Sequence, residues 1–312
     1  MEPSRARPAD AVPDSWVDRW LPEGLTPWAR LMRLDRPVGA WLLLWPCWWS
    51  TMLAAHVAGL QPWDGRVLLA LVAFGTGALV MRAAGCTIND IWDRRIDARV
   101  ARTAGRPVAS GAVSVPGALA LLAVLGLVGL GILLSFNRPT VITAVASLPL
   151  VVLYPLAKRV TYWPQVVLGT VFNWGALLGW TAITGHYPGA QALLLYAGCF
   201  CWTLGYDTIY AHMDREDDVK AGVKSSALAL GERTRPFLWI VYSLALLLWG
   251  LSAMAGGLGL LFWLGLIGAS IHFAWQIARF DMHDPATCLR LFRSNIRFGW
   301  ILFAAIIAGH WG

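Results

Sequence analysis

The sequence predicts an all-α, polytopic membrane protein with nine transmembrane helices, and three observations carry that prediction. Only 14% of the 312 residues are charged and 57% are hydrophobic, whereas a soluble domain carries about a quarter charged residues. The apolar residues gather into runs close to the ~20 residues that cross a bilayer. The chain also holds 19 tryptophans, a residue that favours the membrane interface. The net charge of +7 flanks the apolar runs instead of forming one patch. Lipid headgroups are therefore the expected partner, and nucleic acid is not.

Taken in order, Met1 to about Trp20 is rich in Pro, Arg and Asp and has no apolar core. It is not expected to be a cleaved signal peptide, and Glu2, Asp10, Asp14 and Asp18 argue against a transit peptide. Residues 1–24 are expected to form a flexible cytosolic tail ahead of one membrane domain, 25–312. Leu25 to Leu34 mixes Trp and Leu with Arg and reads as an amphipathic helix on the inner leaflet. The nine runs lie near 38–59, 66–88, 117–135, 139–157, 164–184, 189–211, 236–255, 258–278 and 292–311. Ala255-Gly256-Gly257 joins the seventh and eighth as a tight hairpin. Cys47, Cys86, Cys199, Cys201 and Cys288 read as small buried hydrophobes.

Charge placement orients these helices. With the N-terminus inside, the outer segments hold only Arg66 and Arg138, Arg82 lies within the second run, and all other Lys and Arg, through Arg290, Arg293 and Arg297, are assigned to the inside. Cytoplasmic loops carry this excess of cations, and removing one helix would scramble it. The chain is expected in a membrane such as the bacterial inner membrane, with its N-terminus and active site cytoplasmic.

Two acidic motifs then share the cytoplasmic side, because four helices separate them. The second run leads into Asn89-Asp90-Ile-Trp-Asp93-Arg-Arg-Ile-Asp97, and the sixth into Asp207-x6-Asp214-Arg-Glu-Asp217-Asp218. Each is expected to follow the end of its helix and to lead into a basic, Gly-containing loop. Asn89, Asp93 and Asp97 are four apart and would line one face of a continuing helix. Asp207, Asp214 and Asp218 would share another. Stacked like charges destabilise a helix unless a cation sits among them. Hard oxygens at this density suit Mg²⁺, which binds one or two carboxylates plus phosphate oxygens. Two such clusters facing each other would hold a diphosphate. Solvated acidic loops are the plainer reading, and suffice for Glu216 and Asp217. They do not suffice for the patterned set, which uses a large share of only 18 acidic residues. Arg82 lies inside the second run, two turns before Asn89, and an ionisable residue there is functional by default. Holding an acceptor carboxylate, pairing with an acid such as Asp207, and snorkelling to the interface all remain open.

These residues resemble the UbiA superfamily of intramembrane aromatic prenyltransferases. Asn89 to Asp97 is similar to that family's N-D-x-x-D-x-x-x-D, Asp214 to Asp218 to its D-x-x-x-D, and Tyr154 to Lys158 to its Tyr-x-x-x-Lys element. Arg33-Leu-Asp-Arg36-Pro-Val-Gly39, Met81-Arg82-Ala-Ala-Gly-Cys86, Thr103 to Gly111 and Tyr206-Asp207-Thr-Ile-Tyr210 resemble the 4-hydroxybenzoate polyprenyltransferase branch. The resemblance runs from about residue 28 to the end. It implies nine helices around a central cavity. It also implies Mg²⁺-dependent transfer of a polyprenyl chain from its diphosphate to C3 of 4-hydroxybenzoate, a step of ubiquinone biosynthesis. On this resemblance Asn89, Asp93, Asp97, Asp214 and Asp218 would bind the Mg²⁺–diphosphate, with Asp207 orienting the phenol or taking the ring proton. Arg102, Arg106, Lys158, Lys220 and Lys224 would meet the diphosphate. Arg82, then Arg159 and Arg36, with Tyr154, would meet the acceptor.

A transporter is the rival class, since polytopic helices with intramembrane charge also describe carriers. Carriers tend to bind near the midplane, however, and here the acids gather at helix ends. Among enzymes, a dihydroxynaphthoate acceptor would also need a basic pocket.

Overall fold

The computed structural model describes residues 15–99, 103–151, 161–215 and 224–311, and among these every regular element is helical. Two short helices open the chain, α1 (Trp16–Trp20) and α2 (Thr26–Leu31). Long helices follow as α3 (Val38–Val57), α4 (Gly65–Asp97) and α5 (Val115–Leu134), then the shorter α6 (Arg138–Val145). The remainder comprises α7 (Pro164–Phe172), α8 (Gly175–Thr184), α9 (Ala190–Ala211), α10 (Ser226–Leu230), α11 (Thr234–Gly256), α12 (Leu260–Arg279) and α13 (Pro285–Ala308). Eight segments among the described residues are long and apolar enough to cross a membrane, with α7–α8 and α10–α11 each counted as one. They coincide with eight of the nine expected runs. The ninth, near 139–157, begins as α6 and passes from residue 152 beyond the described residues.

Three boundaries differ from expectation for local reasons. α4 does not stop near residue 88 but continues as helix through Asp97, so the first acidic motif is part of the helix. The run near 164–184 breaks between α7 and α8. There Asn173 turns its amide onto Gly169 O at 2.7 Å and Thr203 Oγ1 at 2.8 Å, and so caps the end of α7. α13 starts at Pro285, earlier than expected, because the Asp284 carboxylate accepts from the amides of Ala286 and Thr287 with proline at the first helical position. The expected α11–α12 hairpin is present, closed by Gly257 in the left-handed region at φ +76°.

The chain divides into two compact units, residues 1–41 with 75–135, and residues 42–74 with 136–312. In the first unit, Leu31 of α2 packs with Val108, Val113 and Ala118. Residues 15–24, expected within a flexible tail, instead carry α1 and ordered contacts. Val17 is buried, Asp18 pairs with Arg30 at 2.6 Å, and Trp16 Nε1 donates to Leu34 O at 3.0 Å. Composition alone missed this, because one Trp, one Val and one Asp at the right spacing suffice to dock a single helical turn.

The second unit is centred on a cluster of stacked, tilted and edge-on aromatics, among them Trp45, Trp49, Trp202, Trp249, Phe273 and Phe298. Lipid tails are as apolar as these side chains, so close packing and interhelical hydrogen bonds hold such a core more than the hydrophobic effect does. Trp202 Nε1 donates to Asn295 Oδ1 at 2.8 Å, Trp49 Nε1 to Gly299 O at 3.1 Å, and Tyr242 OH to Gln276 Oε1 at 2.8 Å. Gly205 lets α9 lie directly on the Tyr242 ring, which any Cβ would strike. All five cysteines are free thiols, and all but the half-buried Cys201 are buried, as expected.

Candidate active site

In the first unit, α4 presents Asn89, Asp93 and Asp97 one turn apart, as the i, i+4 spacing predicts. Asn89 is exposed, Asp93 half-buried and Asp97 buried. Asp90 lies on the same side of α4 as Asp97, two turns before it, and is 1% exposed. Arg33 Nη2 donates to its Oδ1 at 2.7 Å, and Arg106 Nη1 lies 3.9 Å from the same oxygen. Arg106 Nη1 also donates to Asp97 Oδ2 at 2.9 Å. Thr103 Oγ1 donates to the Asp97 carbonyl at 3.1 Å, which fastens the loop to the end of α4. Two cations therefore answer two buried carboxylates, the condition under which buried charge is tolerated. Arg33 adopts φ +57°, a left-handed conformation costing about 1–3 kcal/mol in a non-glycine residue. The ion pair with Asp90 offsets that cost.

Asp90 and Arg33 carry no expected role from the sequence. The only signal was their place inside two quoted motifs. Arg106, expected against a diphosphate, is engaged with Asp97 here. By contrast, the side chains of Asn89 and Asp93 form no hydrogen bond or ion pair with any described residue.

Arg82 sits two turns before Asn89 with its guanidinium on Gly39, where a Cβ would come within 2.5 Å of Nε. Its Nε is buried without a hydrogen-bond partner, and no described carboxylate of its unit pairs with it. Arg36 is occupied by its neighbour, donating from Nε to Asp35 Oδ2 at 3.1 Å.

In the second unit the acidic motif does not continue as α-helix. α9 ends at Ala211 and tightens into a 3₁₀ turn over His212–Asp214. Asp207 lies in the last turn of α9, half-buried, and Asp214, also half-buried, closes the 3₁₀ turn. The shared face expected for these two presumes regular helix, which ends between them. Thr208 Oγ1 meets Ser226 Oγ at 2.9 Å, and His212 Nε2 meets Thr234 Oγ1 at 2.9 Å. These contacts tie the motif to α10 and α11. Lys224 Nζ stands 5.1 Å from the Tyr162 ring centroid. Beside it, Thr161, Tyr162, Trp163, Leu228 and Ala229 line an open pocket of about 500 Å³. Asp218, Arg102, Lys158, Lys220, Arg159 and Tyr154 fall outside the described residues.

Among the described residues, no three His, Cys, Asp or Glu are grouped to hold a metal. Asn89 is outside such a count, Asp218 is not described, and Asp97 is turned to Arg106. The donors at hand still suit Mg²⁺. An amide oxygen and a half-buried carboxylate on one helix face, neither otherwise engaged, leave most of the coordination shell to water and phosphate oxygens.

The family model described as the UbiA prenyltransferase family matches residues 43–304, and the chain belongs to that family. A mitochondrial 4-hydroxybenzoate polyprenyltransferase of Arabidopsis thaliana is 46% identical, over 95% of this chain and 71% of the relative. The human protein of that name is 45% identical, over 97% of this chain and 79% of its own length. The 4-hydroxybenzoate geranyltransferase 1 of Lithospermum erythrorhizon is 44% identical, over 95% and 94%. Among solved structures, a digeranylgeranylglyceryl phosphate synthase aligns with a TM-score of 0.67 at 21% identity, covering 93% of this chain and 99% of that one. A UbiA homologue from Archaeoglobus fulgidus, bound to GPP and Mg²⁺, aligns at 0.62 and 18%, covering 91% and 99%. At such identities these structures establish the shared fold.

Proposed function

We propose that this chain transfers a polyprenyl group from polyprenyl diphosphate to C3 of 4-hydroxybenzoate, the prenylation step of ubiquinone biosynthesis. One observation carries the reading. The family's first acidic motif lies on unbroken helix with Asn89 and Asp93 unengaged, in a chain about 45% identical to 4-hydroxybenzoate polyprenyltransferases over nearly its whole length.

In this reading residues 25–312 act as one catalytic unit. Asn89, Asp93, Asp97, Asp214 and Asp218 hold the Mg²⁺–diphosphate. When bound, Mg²⁺ neutralises charge that develops on the departing diphosphate. Arg106 leaves Asp97 to meet a phosphate oxygen, and Arg102, Lys158, Lys220 and Lys224 supply further cations. The C1–O bond of the allylic chain breaks, the ring carbon ortho to the phenol bonds to C1, and the ring proton departs. Asp207 orients the phenol or accepts that proton. Arg82 holds the acceptor carboxylate, with Arg36, Arg159 and Tyr154 nearby. Gly39 supports this role, because it leaves the half-buried Arg82 guanidinium room without capping it. The site faces the cytoplasm of a bacterial inner membrane, a finer assignment than the mitochondrial relatives support.

Membranes holding the protein, given labelled polyprenyl diphosphate and a panel of aromatic acids with and without Mg²⁺, test the reading. The expected product forms with 4-hydroxybenzoate and requires Mg²⁺. Preference for another acceptor, or transfer indifferent to divalent cations, refutes it.

A further inference from the structure

α13 carries Arg290, Arg293 and Arg297 at intervals of three and four, so they form one stripe. All three are exposed. They lie opposite the face that buries Leu291, Asn295, Phe298 and Leu302. With Ala286, Leu289 and Ser294 they line an open pocket of about 350 Å³. Arg290 Nη2 donates to Thr287 Oγ1 at 2.8 Å. Arg293 and Arg297 make no hydrogen bond or ion pair with any described residue.

Depth makes these arginines informative. α13 has 24 residues, about 36 Å at 1.5 Å each, against a hydrocarbon core of about 30 Å. Even if all the excess projects beyond the N-terminal end, Arg293 and Arg297 begin within the hydrocarbon. Exposed charge there is costly. Helical side chains lean toward the N-terminus and arginines snorkel, so all three guanidiniums reach back toward the end where α13 begins. An anion resident at that depth is the phosphate of a lipid, and the planar guanidinium fork matches phosphate oxygens in pairs. One turn further along, Trp300 is 45% exposed, an apolar wall for an acyl chain.

We propose that the Arg290–Arg293–Arg297 pocket binds the phosphate headgroup of an anionic membrane phospholipid, whose chains run along α13 past Trp300. The proposal does not rest on the transferase reading, and its test does not use turnover. The full-length protein, delipidated in detergent, is offered equal phosphatidylglycerol and phosphatidylcholine, and retained lipid is measured by native mass spectrometry.

The wild-type protein should retain phosphatidylglycerol preferentially. R293Q/R297Q should lose roughly thirty-fold of that preference. Arg66→Gln, an exposed arginine outside the stripe, should lose none. R293K/R297K serves if the glutamine variant does not insert, since it keeps the charge without the fork. A fall in retention supports the pocket, and wild-type retention overturns it. Equal retention of both lipids by the wild type, an equal loss in Arg66→Gln, or full displacement by millimolar inorganic pyrophosphate would each overturn the lipid assignment.

Discussion

The acidic residues of the first unit ride on uninterrupted α-helix and are balanced by buried arginines. Those of the second lie where α-helix tightens to a 3₁₀ turn, beside Thr208 and His212, which hydrogen-bond to neighbouring helices. In α4 the one-turn spacing arises within the helix itself, and Arg33 and Arg106 hold the charges that would otherwise repel along it. Around Asp207 and Asp214 the spacing depends on Thr208–Ser226 and His212–Thr234, contacts reaching 18 and 22 residues along the chain. The first arrangement depends on counter-charges beside the helix, and the second on contacts that reach across the chain.

Four predictions bear on that contrast. Asp93→Ala and Asp214→Ala should each cut Mg²⁺-dependent transfer at least ~10²–10³-fold while the protein still inserts. Turnover near wild type in membranes carrying either variant would remove that residue from the site. Asp90→Ala should cost about 3–5 kcal/mol, because it strands a buried Arg33. Thermal unfolding in detergent measures this, and Asp90→Leu with Arg33→Met should recover much of the loss. An additive double variant would show that the pair is not coupled. Arg82→Ala should raise KM for the aromatic acid by about tenfold or more and leave KM for the diphosphate nearly unchanged. Equal effects on both would place Arg82 elsewhere. In the second unit, Tyr242→Phe removes one interhelical hydrogen bond and should cost only about 0.6 kcal/mol. A loss comparable to that of Asp90→Ala would erase the contrast between the units.

Much of this was legible along the chain because it is local. A run of apolar residues near the length of a bilayer makes a spanning helix whatever its neighbours do, and eight such runs appear where expected. Asn89, Asp93 and Asp97 share a face by periodicity alone. Less was legible where distant residues decide. Asp90 differs from Asn89 by one position, yet it turns inward because Arg33, 57 residues away in sequence, waits for it. Asn173 breaks a helix that composition would continue, because Thr203, 30 residues on, accepts its amide.

The amino-acid order by itself determined the membrane class, the eight spans among the described residues and the spacing of Asn89, Asp93 and Asp97, since each follows from hydrophobicity or helical pitch within about twenty residues. Only the tertiary structure decided which carboxylates are neutralised and which remain open to a ligand, and that Arg82 rests on Gly39 with one nitrogen unsatisfied. Charge compensation and steric clearance are set by groups brought together from far apart in the chain, and no local pattern encodes them.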